Sequence, residues 1–243
     1  MLLPQVHLYS RNLLPEVHAY LDRFRAARPP IRVLEVGCGR WTYFDYSDAE
    51  RVVGIDLSPE QVASNTWIDE GIVGDVQTHR LAADEFDLVV CWDLLEHLPD
   101  PTAALDNMAH ALKRDGVIVI GLPNVASVKG LVTKFTPHSF HLWFFRVIRK
   151  SPRIAGGGEG PFPTYLRWSL RAPALRAWAA RSGLSVEVLH AYESPVQESL
   201  RRQLKLTGAP WRVLRALVRV LSLNQVVADK TDFAIVLRSD ASP

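Results

Sequence analysis

FDLVVCWDLLEHLPDPTAALDNMAHALKRDGVIVIGLPN (residues 86–124) holds two continuously apolar runs, FDLVVCW and GVIVIGLP, separated by a helical pattern. Runs of four or five apolar residues suit strands covered on both faces, as in parallel sheets. The connecting DPTAALDNMAHALKRDG reads as a helix, with Gly116 placed to end it. Strand, helix, strand is the repeating unit of a parallel sheet with right-handed crossovers.

Three more runs lie upstream: IRVLEVG, RVVGIDL and GIVGDV. Before them, Pro15 can open a helix through Val17, Tyr20, Leu21 and Phe24, stopped by Pro29 and Pro30. The fold class is therefore an open α/β sheet. Such sheets bind ligands at the carboxyl ends of their strands, near the point where strand order reverses. Each run ends in polar or glycine residues: Glu35 and Gly37, Asp56, Asp75, Asp93, Asn124. Potential ligand contacts thus collect along one edge.

The chain has 243 residues, 48% of them hydrophobic, enough for one core and a single domain over 1–243. A net charge of +2 is too balanced to make nucleic acid the expected partner. The start, MLLPQVHLYSRNLLPEVH, lacks a basic leader and is interrupted by Pro4 and Pro15, so it makes a poor secretory signal. No uninterrupted apolar run reaches the roughly 18 residues a transmembrane helix needs. Cys38 and Cys91 sit beside predicted strands, where reduced thiols commonly pack. A cytoplasmic protein without disulfides is the expectation.

VLEVGCG places a carboxylate near the end of the first strand, then two glycines that let a backbone approach a ligand closely. Asp56 follows the second strand at the spacing where an acid receives a ribose diol in dinucleotide-binding folds. Alone, the GxG is as readily a tight turn. The ordered set resembles the class I S-adenosylmethionine-dependent methyltransferases. FDLVVCWDLLEHLPDP and GVIVIGLPN are similar to the branch with the ubiquinone-pathway O-methyltransferases and many sugar and natural-product methyltransferases. The resemblance covers 31–124 well and the later strands loosely.

It implies a Rossmann-like seven-stranded sheet with helices on both faces, and S-adenosylmethionine as methyl donor. Carried over by position, Glu35, Gly37 and Gly39 would line the methionine moiety and Asp56 would hold both ribose hydroxyls, with Leu57 in the same set. Asp75 and Val76 would meet adenine, and the backbone around Cys91 and Trp92 would close over the methionine end. TDFAIVLRS is the candidate for the family's antiparallel last strand, after RAPALRAWAARSGLSVEVLHAY, which reads as helix, Gly183 stop and strand. The parts are an N-terminal helical segment (1–30), a cofactor-binding core (31–124), a lid (125–170) and a helical insertion (195–226).

The chain departs from the pattern at Trp41, where the family commonly has glycine. RWTYFDYSDAE also makes a poor helix. The helix after the first strand is thus expected to be shortened or replaced by an aromatic loop, with side chains such as Arg40 assisting cofactor binding.

If Asp93 begins a helix, Glu96 and His97 follow at i+3 and i+4 and can converge on one face. Two carboxylates and an imidazole suit Mg²⁺, and the resemblance implies such a metal for the acid, acid and histidine of the ubiquinone-pathway enzymes. The competing reading makes Asp93 a cap, Glu96 a partner of the helix's positive end and His97 a packing residue before Pro99.

In the lid, KFTPHSFHLWFFRVIRK reads as an aromatic helix and SPRIAGGGEGPFPTY as a mobile loop. His138 and His141 can face one pocket and accept the proton of an acceptor hydroxyl, His141 being favoured for its neighbours Phe140, Trp143 and Phe144. Ordinary packing explains His141 equally well. Trp143 and Trp168 offer faces for a sugar or aromatic ring. In the insertion, Arg212, Arg215 and Arg219 recur at helical spacing beside Val213, Leu214, Leu217, Val220 and Leu221. That segment can cover the core, contact a second copy in a homodimer, or rest on an acidic lipid or bind an anionic substrate group.

The function expected is O-methylation of a small-molecule or saccharide hydroxyl, assisted by Mg²⁺. The alternatives are an N- or C-methyltransferase of a natural product, or a non-catalytic S-adenosylmethionine-binding protein, suggested by Trp41.

Overall fold

A computed structural model describes residues 11–28, 30–148 and 162–240. The glycine-rich part of the expected lid, within 149–161, lies outside the described residues, as does Pro29. Among the described residues, seven strands form one sheet: β1 (Arg32–Val36), β2 (Arg51–Asp56), β3 (Glu70–Val73), β4 (Phe86–Trp92), β5 (Leu112–Pro123), β6 (Leu184–Tyr192) and β7 (Asp232–Ser239). Their order is β3-β2-β1-β4-β5-β7-β6. β1 to β5 are parallel, and β7 runs antiparallel to both β5 and β6. The α-helices among the described residues are α1 (Pro15–Ala26), α2 (Pro59–Ser64), α3 (Pro101–Ala111), α4 (Val128–Phe135), α5 (His138–Trp143), α6 (Ala172–Arg181), α7 (Pro195–Gln203) and α8 (Gly208–Leu221).

Successive strand residues point to opposite faces, so each continuously apolar run feeds two layers. Leu34, Val36, Val89, Cys91, Ile118 and Ile120 pack with Leu105 and Met108 of α3 and Trp178 of α6. Val33, Leu88, Val90, Trp92 and Val119 belong to the other face, packed with Val17, Leu21 and Phe24 of α1. Phe44 and Tyr46 join that second layer. No helix occurs between β1 and β2, as the aromatic connection predicted. The rings of the 41–46 loop help cover the sheet where a helix would have lain.

α3 starts at Asp100, whose carboxylate accepts the N–H groups of Thr102 and Ala103, with Pro101 in the first turn. It ends at Ala111, not at Gly116 as expected. Leu112 is 4% exposed and already pairs with Phe86, while Leu88 pairs with Val117, so 113–116 form a bulge within β5. Burial of Leu112 and the Lys113 Nζ–Asp87 contact (2.8 Å) favour early entry into the sheet. Gly116 is there for close approach, since a Cβ would lie 2.8 Å from the Lys113 carbonyl oxygen. Gly183, at φ +68°, does end α6 as read from the sequence.

Candidate functional site

Strand order reverses between β1 and β4, which places a crevice at their carboxyl ends. Gly37 and Gly39 take φ of +71° and +48°, a region costly for a side-chain-bearing residue. Both the Gly37 and Cys38 N–H groups donate to the Ile55 carbonyl, at 2.8 and 3.2 Å. The Gly39 N–H donates to Asp56 Oδ2 at 3.0 Å, and Asp56 Oδ1 accepts from the Ser58 N–H at 3.0 Å. Asn65 Nδ2 donates to the Cys38 carbonyl at 3.0 Å. The glycine loop is thereby tied to the tip of β2. A carboxylate oxygen has two lone pairs, so Asp56 retains acceptor capacity for a ligand hydroxyl.

Arg40 and Leu57 are exposed beside this loop. The Gly74 N–H donates to the Asp56 carbonyl at 2.9 Å, which brings the tip of β3 alongside. There Asp75 accepts from the Gln77 backbone N–H and side-chain amide, both at 2.9 Å, while Val76 is buried. Cys91 and Trp92, the last residues of β4, are both buried, on opposite faces of the sheet. Leu94 reaches back over Gly37, where a Cβ would lie 3.0 Å from Leu94 Cδ2. Gly37, Gly39, Asp56 and Asp75 thus lie along one edge of the sheet.

Glu35 departs from its expected setting. It lies inside β1 at 1% exposure, on the face of Val33, and accepts a hydrogen bond from the Tyr46 hydroxyl of the aromatic loop. Burial pushes its carboxyl up to about 8, against hydrogen bonds from Tyr46 and the Tyr43 backbone that pull it down. Cys38 is pushed up to about 12, first by burial and then by the charges of Asp56 and Glu35. Both acids thus border the same loop.

The expected Mg²⁺ set of Asp93, Glu96 and His97 is not assembled. Among the described residues, no group of three or more His, Cys, Asp or Glu side chains is placed to hold a metal ion. Asp93 sits outside any helix at φ +49°, and Leu95–His97 is only a 3-10 turn, so the i, i+3, i+4 face does not form. Nor does Asp93 cap α3, whose cap is Asp100. His97 Nδ1 lies 2.8 Å from the Pro163 carbonyl, which can only accept, so Nδ1 carries the proton. Glu96 is 3% exposed, its carboxyl raised by burial and by Asp93.

Here Glu96 and His97 hold the chain at residues 163–166. The Glu96 carbonyl accepts the N–H groups of Tyr165 and Leu166 at 2.8 and 3.1 Å, and Lys134 Nζ donates to the Leu166 carbonyl at 3.0 Å. The sequence reading missed the surroundings of Glu96 and Asp93. The charges of both, with Asp232, push the Tyr192 phenol up, after burial itself; Asp93, Glu35 and Glu96 do the same to Tyr43. Lys129 Nζ bonds both oxygens of Asp232 at 2.7 and 2.8 Å. Two neutral phenols and an acid-rich wall therefore meet at the tips of β4, β6 and β7. They come from loops and strand ends far apart in the chain, with no shared motif.

His138 and His141 lie on α5, with ring centroids 6.3 Å apart. His141 Nε2 is 2.8 Å from Thr136 Oγ1, whose own hydroxyl donates to the Val132 carbonyl. Thr136 must then accept, which puts the proton on Nε2 and leaves Nδ1 basic. Burial, then His138, lower the His141 pKa. None of the described hydrogen bonds or ring contacts of these histidines reaches the glycine loop.

A methyltransferase domain family matches residues 7–189. The ubiquinone biosynthesis O-methyltransferase of Xylella fastidiosa (strain 9a5c) is 36% identical over 131 residues, 50% of this chain and 52% of that protein. The enzyme of that name from Hahella chejuensis is 32% identical over 138 residues, 49% of this chain and 58% of that one. The chain thus spans about half the length of these curated relatives. In fold it is similar to a SAM dependent methyltransferase from Archaeoglobus fulgidus (TM-score 0.55, 17% identity, 97% of each chain). It is also similar to an S-adenosylmethionine dependent methyltransferase from Mesorhizobium loti (TM-score 0.51, 18% identity, 90% of this chain and 97% of that one).

Proposed function

The chain belongs to the methyltransferase domain family, and we propose that it transfers the methyl group of S-adenosylmethionine to a hydroxyl oxygen of a small molecule or saccharide. The observation that carries this reading is the glycine loop bonded to Asp56 at the strand-order reversal. The residues present fit the donor. Gly37 and Gly39 leave room for close backbone approach, Asp56 accepts from the ribose hydroxyls, and Asp75 with Val76 flanks the adenine. Arg40 and Leu57 border the same loop from the solvent side.

The donor supplies an electrophilic methyl on a sulfonium sulfur. The remaining task is to align the acceptor, and positioning of this kind contributes on the order of 7–11 kcal/mol. The Tyr43 and Tyr192 hydroxyls, kept neutral, can donate to an acceptor oxygen. His141 is the proposed base, because a lowered pKa keeps it neutral and Nδ1 available at physiological pH. Burial sets that pKa first, and His138 lowers it further as its neighbour. The choice of oxygen rests on the name of the curated relatives.

Incubation with methyl-labelled S-adenosylmethionine and a panel of phenols, catechols and glycosides tests the reading. Label is expected in an acid-stable ether. Transfer to nitrogen or carbon acceptors alone would overturn the assignment to oxygen.

A further inference from the structure

We propose that α8 is a docking helix for an anionic lipid surface. The proposal rests on the helix itself and does not require the methyl-transfer reading. With about 100° of rotation per residue, Val213, Leu217 and Val220 fall on one stripe of α8, opposite Trp211, Val218 and Ser222. The second set is half-buried, and the Arg201 guanidinium lies 4.9 Å from the Trp211 ring centroid, so this side faces the protein. The aliphatic stripe points away from it. Val213, Leu217 and Val220 are 58%, 51% and 72% exposed, the reverse of an ordinary surface helix, which buries its apolar stripe.

Charge decides the occupant. Residues 199–228 contain six Lys or Arg and no Asp or Glu; Arg201, Arg202, Arg215 and Arg219 pair with Glu193, Glu198 and Asp229 at its borders, while Lys205 and Arg212 are exposed and enter no ion pair among the described residues. Arg212 and Arg219 run along one side of the stripe, roughly 100–120° from Val213. A second copy packed antiparallel on this face would bring Arg212 of each helix to the same side of the seam, with no acidic residue in 199–228 to receive it. An anionic bilayer accepts both features at once: apolar side chains enter the headgroup boundary, and each basic residue near the surface adds attraction.

The insertion leaves the sheet after Tyr192 and returns at Asp232, and the Ser194 N–H donates to Thr231 Oγ1 at 2.9 Å across its base. Both ends therefore join the edge that carries Asp93 and Glu96. Of twenty exposed large apolar side chains among the described residues, all but Leu57, Trp67 and Val73 lie in 128–168 or 196–223, the segments attached to that side. Lipid docking by α8 would bring the candidate site close to a bilayer.

The test is flotation of the full chain with phosphatidylglycerol-rich vesicles, with pure phosphatidylcholine vesicles, and without lipid. The chain is expected to float with the anionic vesicles alone and to be released by high salt. Leu217→Asp with Val220→Asp should weaken binding at least about tenfold, and Arg212→Ala about fivefold, the worth of one interfacial cation. These positions are exposed, and unchanged circular dichroism will show that the variants fold. Absence of flotation, or flotation undiminished in the double variant, would overturn the proposal. So would a dimer by light scattering that the double variant converts to monomer, since the face would then belong to a second copy.

Discussion

At single residues, Asp56 and Glu35 look alike in the sequence, each an acid at a strand end, yet one is half-exposed and the other sealed beneath Tyr46. Asp56→Ala removes the proposed acceptor for the donor's ribose and the anchor of the Gly39 N–H. Calorimetry should show S-adenosylmethionine binding weakened by about 10- to 150-fold, the worth of charge-assisted hydrogen bonds at 1.5–3 kcal/mol. Glu35 answers to pH. Its folded pKa of about 8 lies above the ordinary 4.5, so the folded state holds a proton that the unfolded chain has released. Stability from this group is complete below about 4.5 and declines as pH rises towards 8, by at most about 1.4 kcal/mol per unit. Urea unfolding across that window should find the decline in the native chain and a flatter profile in Glu35→Gln. For His141, replacement by alanine should lower kcat about 10²- to 10⁴-fold with donor affinity unchanged. The native rate should persist to lower pH than an ordinary histidine would allow, because its pKa is lowered.

At the level of elements, the strands were legible because each buries both faces and shows it as a continuous apolar run. The missing helix after β1 was legible too, from a connection full of aromatic and acidic residues. The end of α3 was not: Gly116 resembles a helix stop, but Leu112 gains more from pairing with Phe86 than from another helical turn. The apparent Asp93 helix failed for a similar reason, since one left-handed residue removes the face on which its partners would have met. Gly121 illustrates packing that sequence periodicity does not reveal. A Cβ there would stand 2.3 Å from the Trp92 ring. Gly121→Ala must therefore displace Trp92 from beside Phe44, and thermal unfolding should register a loss of about 1–3 kcal/mol.

Across the whole molecule, the two halves of the site differ in how far the chain reaches to build them. The proposed donor side comes from consecutive turns after β1, β2 and β3, so its glycines and acids follow one another in order. The proposed acceptor side draws Tyr43, Glu96, Lys129, Tyr192 and Asp232 from five separate segments, and nothing in their local sequence marks them as neighbours. Titration calorimetry of the intact chain with S-adenosylmethionine, repeated with the demethylated product, probes whether the ordered half is a donor site. The account expects saturable one-to-one binding of both, lost together in Asp56→Ala. A folded protein that takes up neither compound, or binds both equally well without Asp56, would contradict it.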